Sequence, residues 1–152
     1  MANTYTQIYI HIVFAVQGRQ NFLKTENKEE VQKYITGIIR NKKQKLISIN
    51  IMPDHVHILL GIKPNIAISD IVRDIKNNSS SFINEKKLVR GKFNWQEGFG
   101  AFSYGHSQIN AVVKYIQEQE KHHLKKTFRE EYLALLKKFE VKYDERYLFS
   151  IE

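Results

Sequence analysis

The sequence predicts an α+β fold of ferredoxin-like type: an antiparallel sheet with helices packed on one face. Three observations predict it. Strand-like and helix-like apolar spacing succeed one another in the order β-α-β-β-α-β-α over 152 residues. A lone Pro53-Asp54 turn between two β-rich runs marks a hairpin, and the other strands are joined by segments of helical period, as in a split βαβ arrangement. No internal repeat or long linker interrupts the chain, so residues 1–152 read as one domain.

Taken in order, residues 5–16, "YTQIYIHIVFAV", are rich in β-branched and aromatic side chains and form the first strand, ended by Gly18. A helix follows, with Thr25 and Asn27 as candidate N-caps and Val31, Tyr34, Ile35, Ile38 and Ile39 at helical spacing, ending near Lys43. "KLISINIM" (45–52) and "HVHILLGI" (55–62) are the hairpin strands. After Pro64, a second helix places Ile68, Ile71, Val72, Ile75, Phe82 and Ile83 on one broad face. Its "NNSSS" stretch is expected to weaken or break it, because short polar side chains compete for the backbone. Residues 88–98 read as a loop and 99–105 as a short fourth strand. Ser107 is a candidate cap for a helix over 108–126 with Ile109, Val112, Val113 and Ile116 as its buried stripe. A last amphipathic helix spans about 127–139, followed by an extended tail.

Composition narrows the function classes. Twenty-four Lys and Arg against sixteen Asp and Glu give a formal charge of +8, which favours a polyanionic partner, with a generically basic protein as the competing account. There is no cysteine, so disulfides and thiolate metal sites are excluded and a cytoplasmic location is expected. No apolar run approaches the roughly 20 residues of a membrane span. The N-terminus has no basic leader before its apolar stretch, and reads as a strand rather than a signal peptide.

Two constellations can carry chemistry. On a strand, alternate side chains share a face, so His55 and His57 point the same way while Val56, Ile58 and Leu60 make the opposite face apolar. Both imidazoles can then reach one small cation, although two half-buried strand residues produce the same pattern. Tyr115 and Gln119 are four apart on a helix and therefore neighbours, beside the buried stripe. With the histidines, Tyr115 becomes a candidate covalent nucleophile and Gln119 a candidate oxygen ligand, a set suited to Mg²⁺ or Mn²⁺ on phosphate oxygens. Taken alone, Tyr115 reads first as an aromatic at the edge of the core.

"MPDHVHILL", "WQEGFGAFSYGHSQ", "VVKYIQEQEKHH" and "TFREEYLALLKKFEVKYDERYLF" resemble the small single-tyrosine HUH transposases of the insertion-sequence 200/605 group, named for two histidines flanking a hydrophobic residue. The likeness runs from "IYIHIVFAV" to the C-terminus, and places the HUH motif on a central strand. It implies action on single-stranded DNA at hairpin-bearing element ends. The residue matched by Tyr115 attacks the scissile phosphate, forming a 5′-phosphotyrosine and releasing a 3′-OH. Positions matched by His55, His57 and Gln119 hold the metal. It further implies a homodimer in which one subunit's tyrosine helix can complete the other's site. A domesticated relative that binds hairpin DNA, a non-catalytic nucleic-acid-binding protein and a hydrolytic phosphoesterase are the alternatives.

For phosphate contacts, Arg73, Lys76, Lys86, Lys87, Arg90 and Lys92 are the candidates, along the second helix and the loop after it. Trp95, Phe99 and Phe102 are candidates for stacking on unpaired bases, with burial the competing reading. His122 and His123 read as solvated helix residues, His106 as a turn or DNA contact, and His11 as structural.

Overall fold

The computed structural model describes residues 3–18 and 23–148; the end of the expected tail, 149–152, lies outside the described residues. The elements are β1 (Tyr9–Ala15), α1 (Lys28–Asn41), β2 (Lys45–Met52), β3 (His55–Gly61), α2 (Ile68–Lys86), β4 (Gly100–Tyr104), α3 (Ile109–Gln117), α4 (Gln119–His122) and α5 (Phe128–Lys138). The four strands form one sheet in the order β2-β3-β1-β4, every pair antiparallel. This is the expected β-α-β-β-α-β arrangement, and it gives β3 a strand on either side.

Strand alternation divides the sheet chemically. Register pairs Val13 with His57 and His11 with Leu59, so His11, Val13, His55, His57 and Leu59 share one face. Ile10, Ile12, Phe14, Val56, Ile58 and Leu60 make the other. On that second face α1 buries Val31, Ile35, Ile38 and Ile39, and α2 buries Ile71, Val72, Ile75 and Ile83.

The expectation of helices on one face holds for these two only. Val112 and Ile116 of α3 pack on Leu59, across the sheet from α1 and α2, and Asn50 Nδ2 donates to the Ile116 carbonyl at 2.8 Å. The physical reason is the polar face itself: a sheet carrying His11, Asn50, His55 and His57 inward needs side-chain partners there.

Two local expectations change. α2 runs unbroken through "NNSSS", because Ser79 Oγ donates back to the Ile75 carbonyl at 2.5 Å and accepts from Trp95 Nε1 at 2.9 Å. The helix expected over 108–126 instead begins with a 3-10 turn at His106–Gln108 and breaks at Glu118, giving α3 and the short α4. By contrast, α5 starts with a full capping box: Thr127 Oγ1 accepts from Glu130 N at 3.2 Å and Glu130 Oε1 accepts from Thr127 N at 3.0 Å.

α5 docks closely on β4. A Cβ at Gly100 would lie 2.8 Å from Cε1 and 2.9 Å from the hydroxyl of buried Tyr132, so only glycine permits this approach. Trp95 and Phe102 are core residues, not free stacking surfaces, while Phe99 is half-buried. No helix among the described residues is long and apolar enough to cross a membrane.

Candidate active site

β3 delivers His55 and His57, and the α3–α4 segment delivers Tyr115 and Gln119, to one buried cluster on the polar face of the sheet. Both imidazoles and Gln119 are fully enclosed. The edge of the Tyr115 ring meets His57, with centroids 5.8 Å apart. The break at Glu118 leaves Gln119 pointing inward, with its Oε1 3.1 Å from His55 Nε2. All four residues singled out by the sequence therefore meet within a single chain.

The structure adds a residue that the sequence reading passed over. Glu131, on the buried stripe of α5, reaches the middle of the cluster. Its Oε1 lies 3.2 Å from His57 Nε2, 3.6 Å from His55 Nε2 and 3.0 Å from His123 Nε2. Its Oε2 accepts from Gln119 Nε2 at 2.8 Å and from the Tyr115 hydroxyl. A signal existed: Phe128, Glu131, Tyr132 and Leu135 follow helical spacing, so a carboxylate stood among the apolar positions. His123, expected to be solvated, also turns inward, its Nδ1 anchored 2.8 Å from the Lys126 carbonyl.

Each imidazole is held from behind. Asp54 Oδ1 lies 2.7 Å from His55 Nδ1, and His11 Nε2 lies 2.7 Å from His57 Nδ1. Phe128 stacks on His55 with ring centroids 4.1 Å apart. Burial, with neighbouring His57, pushes His11 well below its ordinary range, and burial lowers His57 despite the opposing pull of Glu131. Both are therefore neutral near pH 7. Burial would raise the Glu131 carboxyl, but hydrogen bonds from His123 and His57 outweigh it and hold Glu131 ionised. For His123, Glu131 outweighs burial and raises the imidazole. Tyr115 is pushed up by burial and further by the Glu131 charge, so its phenol keeps its proton.

These donors fit a divalent cation. In the tautomer that donates Nδ1–H to Asp54, His55 presents a lone pair at Nε2 toward Gln119 Oε1, itself an acceptor because the amide's NH₂ is committed to Glu131. A cation placed between His55 Nε2 and Gln119 Oε1, 3.1 Å apart, would satisfy both lone pairs. Ligand atoms of His55, His57 and Glu131 lie within 4.8 Å of one another. Two imidazoles, a carboxylate and an amide oxygen make a mixed nitrogen and oxygen donor set open to Mn²⁺ or Mg²⁺.

The six expected phosphate contacts lie elsewhere. α2 packs on the Phe14 side of the sheet, away from the imidazoles, as the Lys76 ammonium 5.3 Å from the Phe14 ring centroid illustrates. Lys76 donates to the carbonyls of Gln96 at 2.8 Å and Gly98 at 2.6 Å, and burial pushes it down to about 8. Its charge ties a loop to α2. Arg73 pairs with Asp70 at 3.1 Å and Asp74 at 3.2 Å. Lys86, Lys87, Arg90 and Lys92 are exposed. None of the six joins the histidine cluster.

Comparison with known proteins gives a consistent set of relatives. The family described as "Transposase IS200 like" matches residues 4–119, from before β1 through Gln119. ISDra2 transposase TnpA of Deinococcus radiodurans is 25% identical over 118 residues, covering 74% of this chain and 84% of that protein. The transposase for insertion sequence element IS200 of Salmonella typhimurium is 25% identical over 128 residues, covering 80% and 84%. Among solved structures, a Deinococcus radiodurans R1 chain solved as a transposase superposes with a TM-score of 0.61 at 21% identity, over 78% of this chain and 95% of that one. A REP-associated tyrosine transposase bound to a REP hairpin gives 0.62 at 16% identity, over 81% and 73%. The two structural likenesses establish the shared fold.

Proposed function

This chain belongs to the IS200-like transposase family, and from that premise we propose that it cuts and rejoins single-stranded DNA through a covalent bond to Tyr115. The substrate would be the hairpin-bearing end of a mobile element. A relative of the same fold bound to a REP hairpin supports that choice. The observation that carries the reading is the convergence of the Tyr115 phenol with the His55 and His57 imidazoles, inside one chain, on a single buried carboxylate.

In this reading the Tyr115 oxygen attacks the scissile phosphorus in line, and the phosphorus–O3′ bond breaks. The phenol loses its proton, the departing 3′ oxygen gains one, and the DNA remains joined to the protein as a 5′-phosphotyrosine. Attack by a 3′-OH on that linkage reverses the steps and restores a phosphodiester, so no external energy source is required. His55, His57, Gln119 and Glu131 would hold Mg²⁺ or Mn²⁺, with Asp54 and His11 fixing the two rings. When bound, such an ion supplies Lewis-acid polarisation of the phosphate and positive charge that offsets Glu131 beside the phenol. Glu131 and Gln119 set the direction of the nucleophile, since both contact the same end of the cluster as the Tyr115 hydroxyl. The homodimer implied by the family likeness is compatible with this reading but not required by it, because one chain brings all four residues together.

Incubation with a hairpin-ended single strand and Mn²⁺ is expected to yield a protein–DNA adduct that survives denaturing electrophoresis. Tyr115→Phe should abolish it, and chelation should suppress it. Strand cleavage that leaves no adduct would replace this reading with a hydrolytic phosphoesterase.

A further inference from the structure

Next to Tyr115, between α3 and α5, the chain forms a cleft of about 750 Å³, within the roughly 300–1,000 Å³ of small-ligand sites. Resting on the transposase reading, we propose that this cleft seats unpaired nucleotides of the DNA strand flanking the scissile phosphate, their bases inside and their phosphates on a lysine rim.

The lining has two chemistries. α3 contributes Ala111, Val112 and Tyr115, and α5 contributes Ala134 and Leu135. Tyr104 of β4 and His122 of α4 add rings, and the His122 ring lies 4.9 Å from that of Tyr115. Flat apolar and aromatic surfaces of this kind accept base faces, which are available only in an unpaired strand. Ala111 and Ala134 are exposed and end at Cβ, so they leave the space open from both helices.

The second chemistry is charge. Lys121, Lys125, Lys126 and Lys138 also line the cleft. Glu131, the one acidic residue there among the described residues, is turned to the imidazoles, Gln119 and the Tyr115 hydroxyl. Lys138 is pre-oriented, its ammonium 5.6 Å from the ring centroid of Tyr104 and of Phe139. Lys121 lies 3.5 Å from Glu118, an exposed pairing worth little in water. Cations over aromatic and apolar walls, continuous with the nucleophile, match a single-stranded polyanion. They also place the strand on the imidazole face of the sheet, across from α2 and its basic residues.

The test is fluorescence-anisotropy titration of the full chain with an unpaired DNA oligonucleotide over a series of salt concentrations, in a Tyr115→Phe background that cannot cleave. Each phosphate contact on a single strand contributes about 0.7 to the slope of log affinity against log salt. Combined Lys125→Gln, Lys126→Gln and Lys138→Gln should therefore lower the slope by about 2 and weaken binding at least tenfold. Ala134→Trp should weaken binding tenfold with the slope unchanged, since it fills the cleft without altering charge. Lys86→Gln with Lys87→Gln, on exposed α2 and its cap, should leave oligonucleotide binding within twofold. Unaltered affinity and slope in the triple variant, with its thermal melt retained, would overturn the proposal. So would a blunt duplex without unpaired ends that competes as well as the single strand. An absent adduct in the wild-type chain, with these binding effects intact, would instead count against the transposase reading and leave the cleft standing.

Discussion

At the scale of single residues, the geometry of the site depends on what stands behind each imidazole. Asp54 fixes the proton of His55 on Nδ1 and thereby aims the Nε2 lone pair at the cluster. Burial would raise Asp54, but the hydrogen bond from His55 prevails and lowers it, so the carboxylate is charged at neutral pH. Asp54→Ala should weaken Mn²⁺ binding by about 10–100-fold, the usual cost of losing such a partner, measured by the loss of free-ion signal in electron paramagnetic resonance. Glu131→Gln should do at least as much, because it removes charge from the ion's own surroundings. Equal Mn²⁺ affinity in wild type and both variants would remove these residues from the metal site. His55, His57, Tyr115 and Gln119 were legible in the sequence because each pair is related by a local period, two on a strand and four on a helix. Glu131 was legible only as a carboxylate on an apolar stripe, since its place in the site depends on how α5 docks, sixteen residues beyond the tyrosine it touches.

At the scale of elements, the hairpin strands and both long helices follow from apolar spacing, and β2 begins and ends where the sequence placed it. What spacing cannot supply is the face on which a helix lands. α3 looked like one long helix because no Gly or Pro stands between Gln117 and Thr127, yet the helix breaks at Glu118 and Gln119 faces inward just beyond the break. Composition singled out the basic residues of α2 as phosphate contacts without telling which side of the sheet they occupy, and they lie across it from the imidazoles. Gly100 is the other element-scale control. Gly100→Ala would force Tyr132 away from β4 and with it the adjoining Glu131. We expect a cost of roughly 1–3 kcal/mol, the range for overpacking a filled interior, together with lower adduct yield. Chemical denaturation and the adduct assay measure the two effects side by side, and unchanged stability would mean that α5 yields freely.

At the scale of the whole molecule, the buried histidines couple stability to acidity. His11 and His57 titrate lower in the folded chain than their ordinary value of about 6.5. Below about 6.5 the unfolded chain takes up protons that the folded one refuses, so their contribution is intact above that pH and is lost on acidification. His123 acts in the opposite sense, since its raised folded value adds stability at low pH that fades as pH rises through that value. Two against one, the melting temperature in the presence of a chelator should fall between pH 7 and pH 5. Scanning calorimetry over that interval would decide it, with a flat or rising profile as the adverse result.

The position of Glu131 along the chain has one more consequence. Both imidazoles, the phenol and the amide come from residues 55–119, whereas the carboxylate arrives later in the chain, on α5. A ribosome releasing this polypeptide would expose the hairpin and the tyrosine segment first, with their polar groups still unclosed. Competence to break DNA would then be withheld until α5 has emerged and settled, a built-in delay between making the blade and arming it.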